Sequence, residues 1–168
     1  MDSPDIGEEA YYESLTILWN GHMLTEPVVP IFEHYFNDEI LPIHIAAIHG
    51  CLEVVKFCGH GHTDNFSMPN PVDGSTPLHY AAHNGYTEMF KFIASKVENP
   101  NLPKQDGWTP IHLASLGGHV DIVKFMVSKV ENPNAPSPDG RMPWKIAADN
   151  NHSEVVLILL AALHGKKH

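Results

Sequence analysis

The sequence predicts an all-α repeat solenoid, in which helix–turn–helix units joined by β-turn hairpin loops stack side by side. Two observations support this prediction. The hexapeptide Lys-Val-Glu-Asn-Pro-Asn occurs at 96–101 and again at 129–134, a separation of 33 residues. Four prolines that open a helical pattern are spaced by 35, 33 and 33 residues: Pro42, Pro77, Pro110 and Pro143. A fixed period of this size indicates units that bury their apolar faces only against their neighbours.

The stretch 106–126 shows the pattern of one unit most clearly. It opens with an Asp-Gly turn dipeptide, whose glycine can adopt the positive φ of a tight turn. Thr109 is then an N-cap candidate, and Pro110 takes the first helical position, where its missing N–H costs nothing. Two glycines end this first helix, and a second helix with an apolar stripe is expected to begin near Val120.

Copies of this unit precede and follow it. Thr-Pro-Leu-His-Tyr-Ala at 76–81 matches Thr-Pro-Ile-His-Leu-Ala at 109–114, and an Asp-Gly turn comes before each. In these motifs and in the 33-residue period, the chain resembles the ankyrin repeat family over about residues 39–163. The resemblance implies units of one β-turn and two helices, and a long concave surface that binds other proteins.

The resemblance also divides the chain into parts. The predicted repeats occupy residues 39–72, 73–105, 106–138 and 139–168, the last being the C-terminal cap. Residues 1–38 are expected to form an acidic tail and a degenerate helical capping repeat, with helices over 8–19 and 28–36. The stretch 154–163 is almost wholly apolar, which indicates either an unusually apolar cap or a natural protein that continues past His168.

Repeats one and four depart from the common pattern. Repeat one has Glu39-Ile40-Leu41 in place of Asp-Gly-x-Thr, so a weaker turn and a weaker helix cap are expected there. Repeat four has Met142 and Lys145 at the positions where Thr and His are expected.

Composition and charge exclude several classes of function. A net charge of −10 argues against nucleic acid and anionic membranes as partners, and no run of 18 apolar residues could span a bilayer. Cys51 and Cys58 are expected to be buried, reduced thiols, and no secretory signal is recognisable. We therefore expect a monomeric, intracellular protein of the cytoplasm, with the nucleus as an alternative. The ten carboxylates before Lys56 indicate a solvated cap or, alternatively, a docking patch for a basic partner.

The thirteen histidines raise the alternatives of metal binding and catalysis. By resemblance, the histidine of the Thr-Pro-x-His motif bonds the threonine of its own repeat and the backbone of its neighbour, and a Gly-His junction follows the first helix. Six histidines take these structural roles: His44, His79 and His112 in the motif, and His22, His119 and His152 at the junction.

No metal or cofactor is expected. Cys58, His60 and His62 form the best zinc candidate, but a site needs four suitably spaced ligands, so a helix end and loop are favoured. The chain has no nucleophile elbow, phosphate loop or His-Glu-x-x-His motif. Ser115 lies three residues after His112, yet no orienting carboxylate is evident, so we expect no enzymatic activity.

The resemblance implies which residues meet a partner, because in the family the exposed, variable positions flank the turn glycine and precede the glycine that ends the first helix. In this chain these positions are Ile48, His49, Val72, Asp73, Ser75, His83, Asn84, Gln105, Asp106, Trp108, Leu116, Gly117, Asp139, Arg141, Asp149 and Asn150. Trp108 is the most informative, since tryptophan is enriched at interface hot spots. Its alternative role is a cation–π contact with Arg141. Leu116 and Ile48 are expected to add apolar area beside it, with acidic residues at the rim.

The leading hypothesis is a non-catalytic protein-interaction module, a scaffold or adaptor that holds a neutral to basic segment of another protein. An alternative, taken from the family, is that Asn134 or Asn101 is the substrate of an asparaginyl hydroxylase, which a mass increase of about 16 Da on the peptide would reveal. The competing structural interpretation is that these side chains hold the hairpin turn.

Overall fold

The computed structural model describes residues 41–59 and 63–165, and within these ranges every regular element is helical. The α-helices are α1 (Pro42–His49), α2 (Leu52–Cys58), α3 (Pro77–Asn84), α4 (Thr87–Ala94), α5 (Pro110–Gly117), α6 (Val120–Lys129), α7 (Pro143–Asp149) and α8 (Ser153–Gly165). A short 3-10 helix spans Thr63–Phe66. The all-α repeat prediction is confirmed. The helices predicted before residue 39, and His22 with them, lie outside the described residues.

The helices form two layers. The first helices of the repeats (α1, α3, α5 and α7) stack on one another, and so do the second helices (α2, α4, α6 and α8), while each first helix also packs on the second helix of its own repeat. The core lies between the layers, and its largest fully buried apolar side chains are Ile43, Ile45, Met89, Phe90, Ile93, Ile111, Ile122, Met126 and Leu159. In the described part of the chain, no helix is both long enough and apolar enough to cross a membrane.

Both cysteines are buried thiols, as predicted, and neither belongs to a disulfide. Cys51 is the residue before α2 rather than part of it, so only Cys58 lies on the helix. Burial raises the pKa of the Cys51 thiol.

Threonine and histidine together cap α3 and α5. The hydroxyls of Thr76 and Thr109 lie 2.9 and 2.8 Å from Nδ1 of His79 and His112. The same ring nitrogens accept the backbone N–H of the two threonines at 3.1 and 3.3 Å. Because Nδ1 accepts, the ring proton is assigned to Nε2. Nε2 of His112 can then donate to the carbonyl of Arg141 in the next repeat, at 3.2 Å, which is the pattern that the resemblance implied.

Repeat one lacks half of this arrangement. His44 Nε2 lies 2.8 Å from the carbonyl of Met68, but Leu41, the N-cap residue, offers no hydroxyl. The buried Nδ1 of His44 therefore has no hydrogen-bond partner. The weaker cap that the sequence predicted is present, and its cost is an unsatisfied nitrogen in the core.

Replacing Leu41 with threonine is expected to raise the free energy of unfolding by about 1 kcal/mol, because the hydroxyl can pair with His44 Nδ1 and cap α1. Urea denaturation of both proteins measures the change. Met142→Thr in repeat four is the matched control. The residue three positions further along is Lys145 rather than a histidine, so the new hydroxyl would have no imidazole nitrogen to pair with. An equal gain in both variants would show that His44 is not involved.

A second set of hydrogen bonds joins consecutive repeats at the end of the first helices. The Tyr86 hydroxyl contacts the carbonyl of Ile48 at 3.4 Å. His119 and His152 make the equivalent contacts through Nε2, to the carbonyls of His83 and Leu116 at 2.9 and 3.0 Å. The structural roles predicted for these two junction histidines therefore have specific partners.

Candidate protein-binding surface

The hairpin tips are held by their own aspartates. Asp73 accepts the N–H of Ser75 at 3.0 Å, and Asp106 accepts the N–H of Trp108 at 2.9 Å. Lys104 adds a 2.5 Å contact to Asp106. Asp73 and Asp106, predicted as binding residues, thus have a local role in shaping the turns.

Ser75 does not belong to the exposed surface on which it was predicted to lie. It was expected to be exposed beside the turn glycine, but only 3% of it is accessible. Its hydroxyl donates to the second oxygen of Asp73 at 2.7 Å, which turns the side chain into the hairpin rather than towards solvent. A partner cannot reach it without opening the turn.

Six of the predicted residues meet in one groove between repeats three and four. The groove has a volume of about 400 Å³, and its lining residues are Trp108, Leu116, Asp139, Gly140, Arg141, Lys145, Ile146, Asp149 and Asn150. Trp108 and Leu116 come from the hairpin and first helix of repeat three. Repeat four contributes Asp139 and Arg141 from its hairpin and Asp149 and Asn150 from the end of its first helix. Stacking of α5 on α7 brings the two sets together.

Trp108 has two structural contacts, one predicted from the sequence and one not. The Arg141 guanidinium lies 5.7 Å from its ring centroid, which is the predicted cation–π contact. Its ring also lies 5.8 Å from that of His112, a contact within its own repeat that the sequence did not indicate. The indole remains half-buried and lines the groove. Its neighbours therefore hold it in place while part of its surface stays accessible.

The rim of the groove carries both negative and positive charges. Asp139 and Asp149 contribute carboxylates, whereas Arg141 and Lys145 contribute cations. Arg141 Nε lies 2.9 Å from Asp139 Oδ2, so that pair neutralises itself. The acidic residues expected at the rim are present, but Arg141 and Lys145 accompany them and balance their charge.

The apolar floor also differs from the prediction. Leu116 lies beside Trp108 as expected, but Ile48 belongs to repeat one and does not line this groove. Ile146 takes its place and is 6% exposed. Ile146 was not among the predicted residues, because the family positions that suggested them flank the turn glycine or end the first helix, and Ile146 is the fourth residue of α7. Its spacing of three and four residues before Asp149 and Asn150 was the available signal.

The remaining predicted residues are spread along repeats one and two, apart from Gly117 in repeat three. His49, Val72, His83, Asn84 and Gln105 are exposed, and Val72 is 63% accessible. The Asn84 side chain donates to the Tyr80 carbonyl at 3.1 Å, as Asn150 does to Ile146 at 2.8 Å. These residues do not line the groove between repeats three and four.

Asn134 has a structural contact, although not the predicted one. Its side-chain amide donates to the Leu159 carbonyl in α8 at 2.7 Å, whereas Asn132 holds the turn by accepting the Asn134 N–H at 3.3 Å. In the earlier copy, Asn99 likewise accepts the N–H of Asn101 at 2.9 Å. Asn134 is 5% exposed, so a hydroxylase would need the repeat to open. Modification of either asparagine stays a hypothesis.

The zinc and nucleophile alternatives receive little support from the described residues. Among them, no three His, Cys, Asp or Glu side chains lie together as a metal site would require. Cys58 is buried, and His60 and His62 lie outside the described residues, so that zinc candidate stays a hypothesis. The Ser115 hydroxyl has no hydrogen-bond partner, and both nitrogens of His112 have structural partners.

Comparison with known proteins agrees with this geometry. A family model described as ankyrin repeats (3 copies) matches residues 94–167, and one described as ankyrin repeats (many copies) matches residues 43–94. Among solved structures, a chain from the crystal structure of the yeast ribosomal protein Rps3 in complex with its chaperone Yar1 is 26% identical. The match covers 75% of this chain and 93% of that chain, with a TM-score of 0.67. In all, 434 solved chains match, so the fold is too common to identify a partner.

Proposed function

Because the chain belongs to the ankyrin repeat family, we propose that it is a non-catalytic scaffold or adaptor that holds a partner segment in the groove between repeats three and four. The repeats and the likeness to a chain of a chaperone complex support the general role of a protein-interaction module. Repeat stacks of this kind bind partners along extended surfaces.

The observation that supports this groove is the convergence of an apolar floor and a polar rim from two repeats. Trp108, Leu116 and Ile146 offer apolar contact, and exposed charged groups surround them. Interfaces combine a buried aromatic anchor with a polar rim in the same way. Arg141 restrains the indole before a partner arrives, which reduces the entropy lost on binding.

Trp108→Ala combined with Leu116→Ala is expected to weaken partner binding by at least about tenfold, because it removes the two largest apolar contacts of the groove. Affinity capture from cell extract with the natural and double-mutant proteins compares the bound partners, and titration with the identified partner gives the dissociation constants. Both proteins must first show the same helical circular dichroism.

Leu157→Ala is the matched control. Leu157 lies on α8, is 69% exposed and does not line the groove, so its loss removes exposed apolar surface elsewhere. A partner that is captured equally by all three proteins would show that the groove is not the binding surface. A partner lost only with the double mutant would place binding there.

The properties of the partner follow from charge. The net charge of −10 favours a neutral to basic protein over nucleic acid or an anionic membrane, and we propose that the protein acts as a monomer inside the cell, without a cofactor. Nine of the twenty carboxylates precede residue 41, outside the described residues, and the groove itself is close to neutral. The charge that attracts a partner from a distance can therefore differ from the charge that the groove itself recognises.

A further inference from the structure

Lys145 occupies a position that is buried in the other repeats. The equivalent residues are His44, His79 and His112, and the first and last of these contact the backbone of the following hairpin. Lys145 is exposed instead and lines the groove. The position has thus changed from an inter-repeat contact to a cation beside the apolar floor.

Asp149 is a similar exception at the other end of α7. The equivalent residues are Ile48, His83 and Leu116, none of them acidic. Asp149 is exposed and lines the same groove as Lys145. The two residues are four apart, so they lie on one face of the helix, about 6 Å apart along its axis.

The charges of Lys145 and Asp149 do not stabilise α7, the helix that carries them. A cation in the first turn and an anion at the last residue both oppose the helix dipole. The order Lys then Asp is also the less favourable one for a pair four residues apart. Within the described residues, neither forms an ion pair with a nitrogen–oxygen distance of 4 Å or less. Their charges remain available to a ligand.

We propose that the groove selects a protein segment of defined charge order: a carboxylate opposite Lys145 and a cation opposite Asp149, beside an apolar anchor on Trp108 and Leu116. The proposal rests on the proposed function of the groove. A partner helix meets the spacing with opposite charges four residues apart, and an extended partner meets it with charges two residues apart. Charge complementarity of this kind contributes mainly to specificity and orientation.

A charge swap tests the proposal. Random peptides displayed on phage are selected on the natural protein, and the enriched peptides are synthesised in two forms, one with the acidic and basic residues exchanged. Both forms are titrated against the natural protein and against the double variant Lys145→Glu, Asp149→Lys. We expect the original peptide to lose about tenfold in affinity for the variant, and the exchanged peptide to recover it.

Three results would overturn the proposed charge order. They are no enrichment of peptides above background, equal affinity of the natural protein for the two peptide forms, and no recovery of affinity when the exchanged peptide is titrated against the double variant. Selection on the Trp108→Ala, Leu116→Ala protein separates this failure from that of the groove. If that protein no longer binds the peptides while the charge swap has no effect, the groove binds segments without charge order. If it still binds them, the groove assignment itself is wrong.

Discussion

Replacing Gly107 with alanine is expected to lower the free energy of unfolding by about 3 kcal/mol, one of the largest losses for a single added methyl group in this protein. Gly107 has a φ of +82°, which disfavours any residue with a Cβ. A Cβ there would also lie 2.2 Å from Cδ of Pro138 in the next hairpin. The proline ring is rigid, so the repeats must separate to accept the methyl group.

Gly140 provides the control for that prediction. It occupies the equivalent turn position in repeat four, with a φ of +79°, but a Cβ would meet nothing within 4 Å. Gly140→Ala is therefore expected to cost only the backbone strain, about 1–2 kcal/mol. Urea denaturation of both variants isolates the contribution of the stacked hairpin. Equal losses would show that the Pro138 contact does not resist the substitution.

Lowering the pH from 7 to 5 is expected to destabilise the protein substantially, because its motif histidines are held neutral. Burial is the main cause that lowers the pKa of His44, His79 and His112, and that of His79 falls to about 4. Lys104 lowers the pKa of His79 further, whereas the Trp108 backbone and Asp73 oppose the shift. Nδ1 of His79 now accepts a hydrogen bond from the Thr76 N–H. If that nitrogen were protonated, two N–H groups would face each other.

The direction follows from proton binding. Below about pH 6.5 the unfolded chain protonates this histidine while the folded state does not, so stability is complete above that pH and is lost as the pH falls towards 4. His79 alone is expected to contribute about 2 kcal/mol of loss between pH 6.5 and 5. Urea denaturation at several pH values measures the total.

His79→Gln tests the assignment, because glutamine can accept the Thr76 N–H but does not titrate. Between pH 6.5 and 5, the free energy of unfolding of the variant should fall by about 2 kcal/mol less than that of the natural protein. His83→Gln, which makes the same substitution at an exposed histidine, is measured in parallel for comparison. An unchanged pH dependence in His79→Gln would mean that His79 is not the group responsible.

Most of the fold could be predicted because its signals are local and repeated. Pro110 begins α5, and Gly107 adopts the predicted positive φ. The interpretation of single surface residues was less successful. Ser75 turned inwards to Asp73, and Ile146, which was not among the predicted binding residues, lines the groove. Such outcomes depend on which side chain reaches which neighbour, and a repeat pattern does not contain that information.

The architecture of this protein follows from its sequence alone, because a 33-residue period with helix-opening prolines and turn glycines specifies one unit and its stacking. The candidate binding groove exists only in the folded protein. Trp108 and Lys145 are 37 positions apart along the chain, and they share a groove solely because α5 packs on α7. The lining of this groove is a property of two repeats in contact, whereas the sequence pattern describes each repeat alone.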